Sequence, residues 1–295
     1  MRYLVAYTAT PAGADALALG VRFARRPGSS LDIVLVLHGE SRATLTPSDP
    51  GYDTYLSDTA EGWLRTALGT VPTGLSVRTH LVFADSFTQG LLSTAERLEA
   101  DMIVVGAATN GLLGRFAIGS VAGGLLHSSP VPVALAPEGT RLMGTAPGIG
   151  RITCALGTKA GAARLLDTGI RLAREADAPL RLVSLVALDL PGGVRDPVAA
   201  RTGAEHAQEV LDYATAHLTD GLDVTASVAL GTGIEQAVRT LGWDATEVAL
   251  VGSSRLAQPN QLFLGSFAAK MLRELPVPMI VVPRDSIETP EKEQP

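Results

Sequence analysis

A glycine-spaced segment occurs twice in this chain, with the same internal spacing each time. The first copy starts at Gly106-Ala107-Ala108-Thr109 and continues, thirteen positions on, at Gly119-Ser120. The second starts at Gly252-Ser253-Ser254-Arg255 and continues, again thirteen positions on, at Gly265-Ser266, so the copies lie 146 residues apart. Each copy is followed by Pro-Val-Pro. Solenoid repeats have periods of about 20 to 50 residues, so a repeat of this length indicates a duplicated domain.

The length of the chain suits such a duplication. In a chain of 295 residues, two copies of about 140 residues each fall at the commonest domain size. We expect a first domain over residues 1–137, a linker rich in Gly, Pro and Thr over 138–150, and a second domain over 151–284. Residues 285–295 are charged and poor in apolar side chains, so we expect a disordered tail there.

Composition and charge exclude several classes of protein. A net charge of −6 is unsuited to general nucleic-acid binding, which needs a basic face. No apolar run is long enough to span a bilayer and no signal-peptide core follows Met1, so we expect a cytoplasmic protein without a membrane partner. The single cysteine, Cys154, lies in an apolar run and is expected to be a small buried hydrophobe. None of the histidines stands at metal-ligand spacing from Cys, Asp or Glu, so no metal site is predicted.

Short apolar runs alternate with helical patterns in each half. Several runs are nearly continuous, which is typical of parallel strands covered on both faces. One helix stripe, Leu17, Val21 and Ala24, recurs with the same spacing at Leu166, Ile170 and Ala173. Strands alternating with helices predict an α/β fold with a doubly wound, Rossmann-like sheet in each half. The predicted strands are 3–7, 31–38, 75–83, 102–105 and 131–136, then 152–156, 180–186, 222–230, 248–251 and 277–282; further helices are predicted over 57–68, 86–98, 121–127, 199–218, 233–241 and 267–273.

A longer stretch follows the second predicted strand of each half. Residues 39–55 and 189–201 carry Pro, Gly and Asp and are predicted to be surface loops. Ligands of open α/β sheets usually lie at the carboxyl ends of the strands, where these loops begin. Gly39 and Leu188, at the ends of those strands, are therefore included among the candidate binding residues.

The repeated glycine segment has the chemistry of an anion site. Gly106 and Gly252 follow the fourth predicted strand, and Gly119-Ser120 and Gly265-Ser266 open the last helix. The free N–H groups and positive dipole end of a helix attract anions, glycine lets a ligand come close, and the serine hydroxyl is a further donor. This pattern favours phosphate. The alternative interpretation is structural, with each serine as a helix cap and each glycine chosen for the turn.

These residues resemble those of the universal stress protein family. Its members carry Gly-x2-Gly-x9-Gly-Ser/Thr after the fourth strand, then a helix and a Pro-Val-Pro-Val final strand, and the resemblance covers both halves apart from linker and tail. It implies a five-stranded parallel sheet in the order 3-2-1-4-5 in each half. It also implies ATP binding in one branch of the family and no nucleotide in the branch that lacks the motif. Because final strands of the family often pair across a dimer axis, we expect 131–135 and 277–281 to join the halves as an intrachain pseudo-dimer, and their Val-Pro-Val pattern fits an edge strand.

The chain departs from the nucleotide-binding pattern in both halves. Thr109 and Arg255 stand where the family has its second glycine, and a left-handed conformation there would cost about 1 to 2 kcal/mol. Nucleotide-binding members place an acidic residue after the first strand, where this chain has Thr8 and Gly157. Losing one charge-assisted hydrogen bond weakens binding by roughly ten- to a hundredfold. Arg255 could clamp a phosphate or be solvated, and Thr8 could bond a ribose hydroxyl or cap the first helix.

No catalytic motif accompanies the segment. The chain has no Gly-x-Ser-x-Gly elbow, no Walker-type Gly-x4-Gly-Lys-Ser/Thr and no His-Glu-x-x-His, so we do not expect an enzyme. Two functions remain open. One is a stress-response regulator that binds ATP or another adenine nucleotide, with or without Mg²⁺, in partly degenerate sites; the other is a protein-interaction module whose sites have decayed. The candidate nucleotide-binding residues are Thr8, Gly39, Gly106, Thr109, Gly119 and Ser120 in the first half and Gly157, Leu188, Gly252, Arg255, Gly265 and Ser266 in the second.

Overall fold

The computed structural model of the chain describes residues 1–39, 50–107, 118–143, 148–156, 162–187, 197–216, 221–254 and 262–283. Each half contains five strands and four helices in alternation within these residues. The first half comprises β1 (Arg2–Ala6), α1 (Pro11–Phe23), β2 (Ser30–His38), α2 (Pro50–Gly69), β3 (Ser76–Ala84), α3 (Phe87–Arg97), β4 (Met102–Gly106), α4 (Ser120–Ser128) and β5 (Val133–Ala136). The second comprises β6 (Arg151–Leu156), α5 (Ala162–Ala176), β7 (Leu180–Ala187), α6 (Pro197–Ala216), β8 (Val224–Gly231), α7 (Ile234–Thr240), β9 (Glu247–Gly252), α8 (Ser266–Glu274) and β10 (Met279–Val282).

The two halves share one ten-stranded sheet in the order β3-β2-β1-β4-β5-β10-β9-β6-β7-β8. Within each half the neighbouring strands are parallel and follow the expected order 3-2-1-4-5. The halves meet at β5 and β10, which pair antiparallel with Ala134 opposite Ile280. The predicted pairing of the final strands is therefore confirmed.

The final strands have an edge position only within their own half. In the whole chain β5 and β10 form the centre of the sheet, so the edge interpretation of the Val-Pro-Val pattern is wrong for the assembled chain. The prolines are accommodated because β5 starts at Val133, one residue after Pro132, and β10 starts after Pro278. Each proline carbonyl still accepts a bond from the fourth strand of its half, Pro132 from the Ile103 amide at 3.0 Å.

The sheet is covered by helices on both faces, which gives two apolar clusters. The buried strands are the nearly continuous apolar runs of the sequence, as in β4, where Met102 to Val104 are fully buried. The predicted helix stripe is buried as well, at Leu17, Val21 and Ala24. Cys154 lies in the same core with no exposure, and burial raises the pKa of its thiol to about 12, which confirms the prediction of an inert hydrophobe. No helix within the described parts of the chain combines the length and apolarity needed to cross a bilayer.

Two helices begin earlier than the sequence pattern predicts. Helix α2 starts at Pro50 and α6 at Pro197, so the ends of the predicted loops 39–55 and 189–201 are helical. The prolines contribute to the loop prediction at these positions. At the first position of a helix the missing N–H of proline costs nothing and its fixed φ favours the helix, so it marks a start.

The segment between the halves is anchored to the first half. A short 3-10 helix, Thr140–Met143, lies in the predicted linker. The buried carboxylate of Asp15 on α1 accepts from the Gly139 amide at 3.2 Å, the Arg141 amide at 2.8 Å and Arg141 Nη1 at 2.7 Å. This segment is therefore held by one internal carboxylate.

A buried ion cluster lies at the amino ends of the strands in the first half. Asp32 on β2 accepts from Arg2 Nε at 2.7 Å, and its other oxygen lies 2.7 Å from His80 Nε2. Burial alone would raise the pKa of Asp32, but the hydrogen bonds and charges of Arg2 and His80 outweigh it and lower the pKa below its usual value.

The second half has the charges of this cluster exchanged. Arg181 on β7 takes the register position that Asp32 has on β2. The buried acid is now Glu247 on β9, which accepts from Arg181 and Arg151, each at 2.6 Å. Arg181 also stacks on Trp243, with its guanidinium carbon 4.9 Å from the ring centroid. The duplicated fold thus keeps the ion cluster while exchanging which strand carries the acid.

Candidate functional site

A cleft of about 250 Å³ opens in the first half at the carboxyl ends of β1 and β4. Four of the predicted binding residues line it together: Thr8, Gly106, Gly119 and Ser120. They come from three separate parts of the chain, and the 3-2-1-4-5 order brings these parts together because β1 and β4 are neighbours. The cleft lies at the switch point of the sheet, where open α/β folds usually bind ligands.

The start of α4 forms one wall of the cleft and leaves its amides open. Gly119 is the N-cap residue, with extended backbone (φ −71°, ψ 168°), and no side chain among the described residues caps the helix. Helices α1 and α3 differ, because Thr10 caps α1 and Ser86 caps α3 through their hydroxyls. A glycine cap has no side chain to fill the amides of the first turn, which remain available to an anion.

The serine hydroxyl at this position is not a helix cap. Ser120 is the first helical residue, and its exposed side chain has no hydrogen-bond partner within the described structure. The same arrangement recurs in the second half, where Gly265 caps α8 (φ −72°, ψ 168°) and the exposed Ser266 follows. The structural interpretation of both serines as capping residues is therefore wrong, and within the described residues neither hydroxyl is engaged.

Gly106 has a structural reason for being glycine. A Cβ at this position would lie 2.0 Å from the backbone oxygen of Ala12, in the first turn of α1. Gly13 is equally constrained, since its Cβ would lie 2.0 Å from the Thr8 oxygen. These close backbone contacts set the depth of the cleft floor, so glycine at 106 shapes the site through packing.

Thr8 lies exposed at the rim of the cleft after β1. Its hydroxyl lies 2.8 Å from that of Thr10, and Thr10, not Thr8, accepts from the Gly13 amide at 3.2 Å. The capping interpretation of Thr8 is therefore wrong. Among the described residues that line the cleft none is acidic, so the absence of a carboxylate at Thr8 is not compensated from a neighbouring element.

An apolar wall that the sequence did not reveal completes the cleft. Val36 at the end of β2 and Leu91 on α3 are buried behind it, whereas Phe87, the first residue of α3, is 48% exposed. An aromatic face at the mouth of a cleft can stack on a flat ring. The sequence signal was weak, because an aromatic residue after a capping serine is also typical of a core-facing helix.

The corresponding segment of the second half is closed by its own hydrogen bonds. Ser253 Oγ accepts from the Phe263 amide at 2.7 Å, and the Ser254 amide donates to the Phe263 oxygen at 2.9 Å. A Cβ at Gly265 would lie 2.9 Å from the Ser254 Cβ. The first half has Ala107 at the position of Ser253, so it lacks the hydroxyl that makes this closure.

The closed segment of the second half also contacts helix α4 of the first half. The Leu262 amide donates to the oxygen of Ser129, the C-cap of α4, at 3.1 Å. The Phe263 ring packs edge-on against His127, with centroids 5.0 Å apart. The helix whose start forms the cleft is therefore held at its other end by the second half.

The remaining predicted residues have different outcomes. Gly252 ends β9 in the position that Gly106 has at the end of β4. Gly39 lies at the end of β2, where its amide donates to the Ala84 oxygen at 3.2 Å, and it packs on Phe83 rather than lining the cleft. Thr109, Gly157, Leu188 and Arg255 lie outside the residues that the structure describes.

Fold and cleft together define a tandem α/β protein, in which two doubly wound halves share one sheet and a cleft opens at the switch point of the first half. The model of the universal stress protein family matches residues 1–137 and again 148–283. The chain belongs to the universal stress protein family.

A relative agrees with this membership, and two solved structures share the fold. The chain is 31% identical over 301 residues to universal stress protein Rv2319c of Mycobacterium tuberculosis, covering 96% of this chain and all of the relative. A universal stress protein from Archaeoglobus fulgidus has a similar fold, with a TM-score of 0.63 at 18% identity over 96% of this chain and 97% of that one. A putative universal stress protein from Pseudomonas aeruginosa matches with a TM-score of 0.55 at 19% identity, over 96% of this chain and 93% of the other. At these identities the two structures support the fold.

Proposed function

We propose that the first half of this chain binds an adenine nucleotide and that the protein acts as a regulator whose signal is nucleotide occupancy. The observation that carries the proposal is the meeting of Thr8, Gly106, Gly119 and Ser120 in one cleft at the uncapped start of α4. Open amides, a free serine hydroxyl and a positive helix end are a favourable environment for phosphate.

The opposite side of the cleft suits the base of the nucleotide. Phe87, Val36 and Leu91 give an apolar surface, and the exposed ring of Phe87 can stack on a purine. The Thr8 hydroxyl at the rim is placed to bond a ribose hydroxyl. It would do so as a neutral group, because the carboxylate of the nucleotide-binding family pattern is absent, so the affinity is lower by roughly ten- to a hundredfold.

The same residues argue against catalysis and against a protein-held metal. No carboxylate, histidine, lysine or cysteine lines the described part of the cleft. Tyr7 does line it, but burial raises the pKa of its phenol, so it stays protonated and is a poor base for activating water. Mg²⁺ would reach this site on the nucleotide's own phosphates, since its oxygen-preferring coordination finds no carboxylate here. At most a slow hydrolysis is compatible with such a site.

The second half has a different part in this proposal. Its glycine segment is closed between Ser253 and Phe263 and docks on Ser129 and His127 of the first half. These contacts favour a structural role for that segment. For the second half alone, this matches the alternative hypothesis of a site that has lost its ligand-binding function. Binding by one half and scaffolding by the other are therefore compatible in one protein.

The proposal is tested on the purified, full-length protein. After denaturation, the supernatant is analysed by chromatography and mass spectrometry for a released adenine nucleotide. In parallel, millimolar ATP with Mg²⁺ is added to the native protein, and a ligand that binds only the folded state raises the melting temperature. Release of a nucleotide or a rise in melting temperature supports the proposal. If no nucleotide is released and the melting temperature does not change, nucleotide binding is rejected. The remaining hypothesis is then a protein-interaction module whose sites have decayed.

A further inference from the structure

A second cavity, of about 400 Å³, lies between the two halves near the amino ends of β1 and β6. The carboxyl-terminal ends of α1 and α5 flank it, and it shares no residue with the nucleotide cleft. Its inner wall is apolar at Tyr3, Phe23, Ile152 and Leu172, all buried, with Tyr3 and Phe23 stacked at 5.4 Å. Its mouth is polar and exposed.

Arg22, near the end of α1, forms part of the inner wall and is only 2% exposed. Its Nη2 atom donates to the backbone oxygens of Thr246 at 3.2 Å and Gly148 at 3.4 Å. Its Nε and Nη1 atoms are buried and have no hydrogen-bond partner in the described structure. Burial lowers the pKa of this guanidinium, although the charge of Asp244 acts in the opposite direction. A buried cation with open donors is unfavourable unless an anion accompanies it.

The second half contains an equivalent arginine that is exposed and paired with a carboxylate. Arg171 on α5 corresponds to Arg22, since Gly20 and Gly169 precede them by the same two positions. Arg171 Nη1 bonds Asp101 Oδ1 at 2.9 Å. The residue that corresponds to Asp101 is Glu247, 146 residues further along the chain. Its carboxylate already accepts from Arg151 and Arg181, each at 2.6 Å. The nearby Asp244 accepts from the Thr246 amide at 2.8 Å and from the Thr246 hydroxyl at 2.5 Å. No carboxylate within the described residues forms an ion pair with Arg22.

The other charged groups facing the cavity are at its mouth. Arg25 and Arg26 lie there on the α1 side and Glu175 and Asp177 on the α5 side. Arg26 is fixed by a bond to the backbone oxygen of Arg174. With Arg22 the lining carries three cations against two acids, and the deepest charge is the buried cation. An incoming anion therefore meets both positive and negative side chains at the mouth of the cavity, but only the positive charge of Arg22 inside it.

We propose that this cavity binds a small oxyanion, a phosphate or carboxylate group on a compact molecule with an apolar face, and that Arg22 is its anchoring cation. The anion would occupy the role that Asp101 has beside Arg171. The apolar wall of Tyr3, Phe23, Ile152 and Leu172 would receive the rest of the molecule. Since Nε and Nη1 are covered in the ligand-free structure, binding requires a small outward movement of the lining side chains. The ligand would bridge both halves, because its contacts belong to α1 of one and to β6 and α5 of the other.

The probe for this site is inorganic phosphate, titrated by calorimetry into the full-length protein at constant ionic strength with chloride as the balancing anion. All titrations use the Gly119→Glu background, which removes phosphate binding at the nucleotide cleft. Arg22→Met preserves the length of the side-chain stem and removes the charge. Arg171→Met is the matched control, because it removes the equivalent arginine, which is already paired.

The expected result is phosphate binding in the Gly119→Glu protein that Arg22→Met weakens by about tenfold or more, as expected for loss of a charged donor, while Arg171→Met leaves it unchanged. If the Arg22→Met variant does not fold, the Arg22→Lys variant is used in its place. Lysine retains the charge but loses the planar guanidinium fork, so this variant should bind phosphate less tightly than the Gly119→Glu protein with Arg22 intact. Absence of phosphate binding in the parent, or equal affinity in the parent and the Arg22 variant, would overturn the proposal. These comparisons of phosphate affinity do not depend on whether ATP binds the nucleotide cleft.

Discussion

Ala134 on β5 and Ile280 on β10 lie directly opposite each other in the antiparallel pair that joins the two halves. They are 146 residues apart, the separation of the two glycine segments, so the pseudo-twofold axis between the halves passes between them. Both residues are fully buried. The duplication therefore produces a self-complementary junction of the kind that a symmetric dimer makes between two chains.

This junction should be a major contribution to stability. Replacing Ile280 with Ala leaves a cavity at the centre of the ten-stranded sheet, and such changes cost about 2 to 5 kcal/mol of unfolding free energy. Urea denaturation followed by circular dichroism measures the effect. The control is Leu142→Ala, since Leu142 is 80% exposed and should change stability by less than about 0.5 kcal/mol. Equal midpoints for the two variants would contradict the importance of the junction.

Gly106 should not tolerate a side chain. An added Cβ would lie 2.0 Å from the Ala12 oxygen, a backbone atom that moves only if α1 shifts. Gly106→Ala is therefore expected to cost about 1 to 3 kcal/mol, as overpacking typically does. Gly62→Ala is the matched control. Beyond the backbone of α2, a Cβ added at Gly62 would meet among the described residues only Arg65 Nη2, at 3.8 Å. Alanine there should stabilise the helix by about 0.5 to 1 kcal/mol. Thermal melts of both variants show whether their shifts have opposite signs.

Acid should destabilise the protein partly through Asp32. Arg2 and His80 outweigh burial and lower the pKa of this carboxyl in the folded state. A lowered folded-state pKa contributes stability that is present above the unfolded value, near 3.9 for aspartate, and that is lost as the pH falls through the folded value. The free energy of unfolding should therefore fall less steeply below about pH 5 in Asp32→Asn than in the wild type.

The measurement is a series of urea denaturation curves from neutral to acidic pH. Asp32→Asn should also be less stable at neutral pH, because Arg2 is left with a neutral partner. Glu96→Gln, at an exposed site on α3, should retain the wild-type slope. A wild-type slope in Asp32→Asn would show that this ion cluster contributes nothing to acid sensitivity.

The fold followed from the sequence because parallel strands leave a direct pattern. Runs such as 102–105 and 248–251 are nearly all apolar because both faces of the sheet are covered. The strand Met102–Gly106 exceeds its predicted bounds by one residue at one end, and Glu247–Gly252 exceeds its bounds by one residue at each end. The starts of helices α2 and α6 are harder to predict from the sequence, because Pro50 and Pro197 are equally compatible with a loop.

The candidate site was only partly predictable. Thr8, Gly106, Gly119 and Ser120 could be brought together in advance because strand order places β1 beside β4. Phe87 could not be assigned to the cleft from the sequence, because its position there depends on how α3 is oriented on the sheet. Arg22 was missed for a similar reason: an arginine in the last turn of a helix is usually solvated, and its burial arises from packing of the second half against the first.

The most direct test of nucleotide binding is a calorimetric titration of ATP with Mg²⁺ into the wild type and two matched variants. Gly119→Glu places a negative side chain at the start of α4, and Gly265→Glu places the same group at the start of α8. We predict that Gly119→Glu abolishes binding at the first-half cleft while Gly265→Glu leaves that binding at its wild-type affinity. Equal loss of ATP affinity in both variants, or undiminished binding in Gly119→Glu, would contradict a nucleotide site at the uncapped start of α4.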